Sequence, residues 1–335
     1  MYHPTMTRTG RILFYPLIKF CEWMGENHPV TLVKIRYFAT FHRFPNLKEP
    51  KTFNEKLLYT KLFTDTSHWT VLADKFKVRD YIKNCGLGDY LIPLIGMWTD
   101  VNDIDFEALP QSFIFKANNG VGKSEYLMVK DKNLLNVEEA KKFLDRLLKR
   151  KHVGVLSAEP QYKNMPACII AEELLPSVEG EKSPVDYKLF CFNGEPHYIR
   201  TYSNRDKNGA DVATYDTEWN PMPQVDQTEA RYHAGKQLPK PQNLEDMVRV
   251  ARVLAKPFPF VRVDLYNING KIYFGELTFT PLGGLMSSMT PEMLREMGDL
   301  IDLNYPDGQP LNIQLSNTEM GGGKIIKIKN YRHAA

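Results

Sequence analysis

Apolar and polar side chains alternate most sharply between residues 260 and 279. Val261, Val263 and Leu265 share one phase, continued by Tyr273, Leu277 and Phe279 with Gly275 among them. Arg262, Asp264, Glu276 and Thr278 share the other. Alternation at period two predicts a pair of half-buried strands, and Asn269-Gly270 between them predicts a tight hairpin turn. One face then enters a core and the other presents charge. If Gly270 supplies a left-handed bulge position, Arg262 stands opposite Glu276 and Asp264 is its diagonal neighbour. Two carboxylates and an arginine on one sheet face suit either the solvated side of an antiparallel hairpin or a site for metal and phosphate.

The same reading extends along the chain. Residues 1–50 predict basic helical structure. Thr52 and Glu55 form a capping box. A helix over 69–84 ends at Gly86, with Asp74-Lys75 near its start, and residues 91–98 predict a short buried strand. Strands over 112–117 and 126–129 flank the loop Asn118-Asn119-Gly120-Val121-Gly122-Lys123-Ser124. Asn136 caps a helix with Ala140, Leu144 and Leu147 on one face. Strands follow at 168–175 and 186–192, the second turning at Asn193-Gly194 into a return strand at 197–200. Residues 203–240 are polar and turn-rich, with no clear element. Asn243 caps a helix that turns Met247, Ala251 and Leu254 inward. Beyond residue 303 the pattern fades, and Gly321-Gly322-Gly323 forms a joint. There is no internal repeat.

Composition narrows the classes. The chain has 335 residues, 43% hydrophobic and 25% charged, a globular balance with room for a large core. A formal net charge of +3 gives no argument for nucleic acid. Cys21, Cys85, Cys168 and Cys191 are dispersed, without metal-ligand spacing, which fits a reducing compartment. Residues 11–20 are apolar but interrupted by Pro16 and Lys19. They are too short to span a bilayer and do not read as a secretory signal. With Arg8, Arg11 and Lys19 they fit either a membrane-surface segment or an amphipathic helix packed on the body.

The loop after Lys116 nearly matches a Walker phosphate loop, with Ala117 in place of the first glycine. A Walker loop must open a helix, whose amides receive the phosphate. Here Tyr126-Leu127-Met128-Val129 follows, a strand pattern. Strand–glycine loop–strand suits either an ordinary hairpin or a flap over phosphates, with Gly120 and Gly122 permitting close approach. Lys116 lies inside the preceding strand.

Several motifs then fall in one order: Lys51-Thr52-Phe53-Asn54-Glu55-Lys56-Leu57, Ala73-Asp74-Lys75, Lys116 with the glycine loop, Ala171-Glu172-Glu173, and 186–194 from Asp186 to Gly194. The stretches 258–266 and 275–281 close the series. The set resembles the ATP-grasp superfamily, which includes D-alanine–D-alanine ligases, and more closely the TupA-like ATP-grasp proteins, over residues 45–302. The resemblance implies an α+β fold with two lobes clasping ATP and a helical N-terminal region. The implied parts are a helical region at 1–68, an N-terminal lobe with the glycine loop at 69–175, a C-terminal lobe with the metal-binding hairpin at 176–303, and a tail at 304–335.

The resemblance also implies roles. Lys75 and Lys116 neutralise phosphates under the Gly120–Gly122 loop, the backbone of Glu172, Glu173 and Leu174 runs beside adenine, and Asp186 holds the ribose. Asp264 and Glu276 bridge two Mg²⁺ ions, with Mn²⁺ as an alternative. Thr278 stands where the ligases carry asparagine and is a weaker metal ligand. Arg262 is the catalytic cation, stabilising a tetrahedral intermediate. The implied activity is an ATP- and Mg²⁺-dependent carboxylate–amine ligase acting through an acyl phosphate. It would attach an amino acid to a uronic acid or related unit, free or lipid-linked, in capsule, exopolysaccharide or cell-wall polymer synthesis. Alternatives are a glycosyltransferase-like polysaccharide-modifying enzyme and a nucleotide-binding scaffold. Arg200, Arg205 and Arg231 are candidates to hold substrate carboxylates. The expected location is cytoplasmic, with a membrane-peripheral position as the variant and no nucleic-acid partner.

Overall fold

The computed structural model describes residues 8–120, 125–177, 180–206, 208–227, 232–306, 315–320 and 323–328. The helices are α1 (Arg8–Asn27), α2 (Pro29–Phe41), α3 (Phe53–Phe63), α4 (Trp69–Leu72), α5 (Val78–Asn84), α6 (Val137–Leu148), α7 (Pro160–Lys163), α8 (Leu244–Ala255) and α9 (Pro291–Leu300). The strands are β1 (Leu94–Trp98), β2 (Phe113–Ala117), β3 (Tyr126–Val129), β4 (Ile169–Glu173), β5 (Asp186–Phe192), β6 (Glu195–Ser203), β7 (Ala210–Asp216), β8 (Tyr232–Ala234), β9 (Phe260–Ile268), β10 (Lys271–Thr278), β11 (Leu315–Met320) and β12 (Gly323–Ile328). Contacts divide the chain into two units. One joins Met1–Pro45, Lys61–Thr70 and Leu94–Leu174, and the other joins Asn46–Thr60, Val71–Pro93 and Leu175–Ala335.

In the first unit an antiparallel sheet runs in the order β1-β4-β2-β3. Strand β2 alternates as its sequence demands. Phe113, Phe115 and Ala117 are buried against Ala140, Leu144 and Leu147 of α6, which leaves Lys116 on the opposite face. Asn136 caps α6 by accepting from the Glu139 amide at 3.1 Å. Strand β1 is half-exposed rather than buried, because it is the sheet's edge and Met97 faces solvent.

In the second unit six strands run in the order β10-β9-β5-β6-β7-β8, antiparallel except for the β7–β8 pair. Helix α8 contacts β5, β6 and β9 and buries Met247, Ala251 and Leu254. Phe190, Phe192 and Phe260 join a core with Phe53 of α3 and Met293 and Met297 of α9. The capping box forms as read: Thr52 Oγ1 accepts from the Glu55 amide at 3.3 Å, and Glu55 Oε2 from the Thr52 amide at 3.1 Å.

Two further expectations change. The helix over 69–84 is two helices, because buried Asp74 turns its carboxylate onto the Phe76 and Lys77 amides at 2.8 and 3.1 Å. That local turn competes with helix, so Lys75 sits in the break before α5. Asn243 does not cap α8 with its side chain. It donates to Gly270 O at 2.7 Å and accepts from Asn267 at 2.6 Å, securing the β9–β10 turn instead.

Candidate functional site

The β9–β10 hairpin positions the charges, but not in the register the alternation suggests. Asn269 (φ 51°) and Gly270 (φ 86°) make a two-residue turn closed by the pair Ile268–Lys271, so no bulge is needed there. The register slips at Gly275 instead. A Cβ at Gly275 would lie 3.0 Å from Asp264 O, a close approach that favours glycine. Asp264 therefore stands opposite Glu276, and Arg262 opposite Thr278. The slip also reverses the phase at Tyr273, which pairs with Tyr266, while Ile272 and Phe274 turn into the core.

The register carries charge across the sheet. Glu276, Asp264, Lys188, Arg200 and Thr214 occupy consecutive cross-strand positions on β10, β9, β5, β6 and β7. Residues opposite one another share a face, so these side chains form one lateral row. Arg262 grips Asp264 with both forks, Nε to Oδ1 at 2.6 Å and Nη2 to Oδ2 at 2.7 Å. Lys188 pairs with the same carboxylate. Lys75 Nζ lies 3.4 Å and Arg262 Nη2 3.6 Å from the Glu276 carboxylate. The Thr278 hydroxyl accepts from Arg262 at 3.0 Å and donates to Glu276 at 3.3 Å, so it is engaged within the cluster.

Asp264 is buried, whereas 41% of the Glu276 side chain remains exposed. The local setting opposes ionisation of Glu276 by desolvation, but the charges of Lys75, Lys188 and Arg262 prevail and hold its carboxyl down at about 2. Burial works against the Arg262 charge too, and Asp264 outweighs it, raising the guanidinium pKa. The cluster thus sets two carboxylates among three basic side chains. Among the described residues no group of three or more His, Cys, Asp or Glu side chains forms a metal cage. A pair of hard carboxylate donors suits a cation that completes its shell with water and phosphate oxygens.

Asp186 lies two residues before Lys188 on the same face, between Tyr266 and Tyr202 in the ladder. Arg205 holds it at 2.7 Å. The Asp186 charge, then burial, pushes the Tyr266 phenol well above its ordinary range. These contacts correct the expectation for the arginines. Arg200 is fully buried and committed to Ser288 Oγ at 2.6 Å and Asp226 at 3.2 Å. It reinforces the row and has no surface to offer a substrate. Arg205 is engaged by Asp186, and Arg231 lies outside the described residues.

In the first unit Lys116 is a diagonal neighbour of Glu172 across the β2–β4 ladder, and Nζ reaches Oε2 at 2.7 Å. Glu172 is buried, Glu173 exposed, and Leu174 follows the strand. Gly120 donates its amide to Ala117 O at 3.0 Å. Arg150 ties the loop's two described ends, pairing with the Glu125 carboxylate and with Asn119 Oδ1 at 3.2 Å. Gly122 lies outside the described residues. The residue missed by sequence reading is Lys188. Its signal was present, since period two puts it on the Asp186 face.

Residues 55–302 match the family described as TupA-like ATPgrasp. The chain belongs to that family. Solved structures similar to this TupA-like ATP-grasp protein include the D-alanine–D-alanine ligase of Bacillus anthracis, at 15% identity and TM-score 0.43 over 69% of this chain and 66% of that one. The ATP-grasp ligase PsnB complexed with minimal precursor, Mg and ADP is similar at 12% identity and TM-score 0.35, over 77% and 64% of the two chains. The N5-carboxyaminoimidazole ribonucleotide synthetase purK, solved as its ADP complex, is similar at 16% identity and TM-score 0.38, over 67% and 46%. The matches span two thirds or less of those proteins. No curated protein matches.

Proposed function

We propose that this protein is an ATP- and Mg²⁺-dependent ligase that joins a carboxylate to an amine through an acyl phosphate. The observation that carries the reading is Asp264 opposite Glu276, flanked by Lys188, Arg262 and Lys75, in a TupA-like ATP-grasp chain. The donor set fits Mg²⁺, which takes one or two carboxylates and keeps its other positions for water and phosphate. Asp264 and Glu276 would hold it, and it would supply neutralisation of phosphate charge.

The protein's own side chains then position and neutralise. Lys75 and Lys188 already lie against the two carboxylates and would neutralise a phosphate bound there. Arg262 fixes the orientation of Asp264 and offers positive charge to an oxyanion forming at the acyl carbon. Asp186 is assigned the ribose hydroxyls, which compete with Arg205 for its carboxylate. Lys116, steadied by Glu172, is assigned phosphate, and the backbone at Glu172, Glu173 and Leu174 the adenine. The substrate class rests on the resemblance: an amino acid joined to a uronic acid or related unit of a capsule, exopolysaccharide or cell-wall polymer.

The test is a screen of amino acids and uronic acids for ADP release that requires both, followed by the product mass. The expected product is lighter than the summed substrates by one water. Nucleotide binding with no turnover under any pair, or consumption of a nucleotide sugar in place of ATP, would overturn the reading.

A further inference from the structure

The first forty-five residues contain six basic and two acidic side chains, a net of +4 where the whole chain is +3. The remainder is therefore slightly acidic, and the positive charge is concentrated in α1, α2 and their flanks. One side of these helices is accounted for. Met24, Leu32, Val33 and Tyr37 are buried. A Cβ on Gly25 would sit 2.2 Å from Val155 O, so α1 lies directly on the short 3-10 turn Val155–Ser157. Arg36 donates to Leu156 O and to Ser157 Oγ.

The other side is aromatic and uncovered among the described residues. Phe20 and Trp23 are 54% and 50% exposed, one turn apart and stacked at 5.9 Å between ring centroids. Ile35 and Phe38 repeat the arrangement on α2, and Phe38 stacks on Phe44 at 4.9 Å. Exposed aromatic pairs of this kind gain nothing from water and mark an interaction surface. Of the segment's two acids, Glu22 pairs with Lys19 of the same helix at 2.7 Å and Glu26 with His152 at 2.5 Å. Lys34, one turn from Phe38, has no acidic partner among the described residues.

From this geometry we infer that the α1–α2 face seats on an anionic lipid surface. Aromatic rings beside Lys34, on a segment of net positive charge, match the water–lipid boundary, where rings enter the acyl edge and ammonium groups meet phosphate. A second copy is a poor occupant, since it would set +4 against +4. Seating does not require spanning. No helix among the described residues is long and apolar enough to cross a membrane.

The experiment is co-sedimentation of the full chain with vesicles of phosphatidylcholine alone or with a quarter phosphatidylglycerol. Association with the anionic vesicles should exceed that with neutral ones by roughly tenfold and weaken in about 0.5 M NaCl. Phe20→Ser with Trp23→Ser should lower it by about tenfold, and Lys34→Glu, on the exposed side of α2, should lower it with less risk to folding. Thermal melts of each variant monitor the fold. Equal association with both vesicles, none with either, or full retention in well-folded variants would overturn the inference. So would a wild-type dimer in solution that the Phe20/Trp23 variant dissolves.

Discussion

Lys188 stands directly opposite Asp264 in the β5–β9 ladder, and its ammonium pairs with that carboxylate while Arg262 clamps the same group from its own strand. A buried carboxylate with two cations keeps an attraction to spare if one is removed. Lys188→Met should therefore leave the protein folded, at a cost of about 1–3 kcal/mol, and reduce ATP turnover by roughly tenfold or more. Urea unfolding beside steady-state ADP release measures both. Normal turnover would remove Lys188 from the site.

Asp264→Asn and Glu276→Gln preserve shape and remove charge. Each should lower turnover by about 100-fold or more, the usual scale for losing a group that stabilises charge in the transition state. Circular dichroism should be unchanged. Near-normal rates in both would reject these residues as metal ligands.

Arg262 and Lys116 should separate in kinetics. Arg262→Met is expected to keep ATP affinity within a few-fold, roughly, while single-turnover amide yield falls steeply, because its charge acts mainly as the oxyanion forms. Lys116→Met should weaken ATP affinity itself, since its charge would meet phosphate before reaction. Calorimetry on both variants distinguishes them. Equal losses of affinity would make Arg262 a ground-state clamp.

Acid should find Glu276. Its folded pKa, held at about 2, lies below the ordinary 4.5. A depressed carboxyl binds fewer protons in the folded state, so its contribution is present above 4.5 and is lost as pH falls toward 2. Exposure of the side chain screens the effect and keeps it small. Urea midpoints of the metal-free protein should fall across this window with a slope that Glu276→Gln reduces. Identical slopes would contradict the charge balance described for the cluster.

Much of this was legible in sequence because it is local. Alternation gave β2, β9 and β10, Asn269-Gly270 gave the turn, and Thr52 with Glu55 gave a helix start. What escaped depends on partners distant in the chain. The Gly275 slip is decided by which β9 residue each β10 residue meets, and no window on β10 alone contains that. Asn243 looked like a cap because its neighbours are helical, yet a stronger pair of bonds awaited it at the hairpin turn. Arg200 looked available because arginine usually is, and Ser288 and Asp226, 88 and 26 residues on, enclosed it. Lys188 announced its face but not its partner.

The slipped residue at Gly275 makes the hairpin sensitive to chain length rather than to composition alone. On either side of it, core and charged faces are occupied in opposite step: Phe274 and Leu277 inward, Tyr273 and Glu276 outward. Removing Gly275 would leave Phe274 opposite Leu265 and Glu276 opposite Asp264 in unbroken alternation, whereas adding one more residue there would push Glu276 past Asp264 and turn it toward the core while leaving every side chain chemically intact. Substitutions near the carboxylates can be graded from mild to severe, but a single-codon insertion between Phe274 and Glu276 has no mild form. The site is encoded as much by spacing along β10 as by the groups themselves.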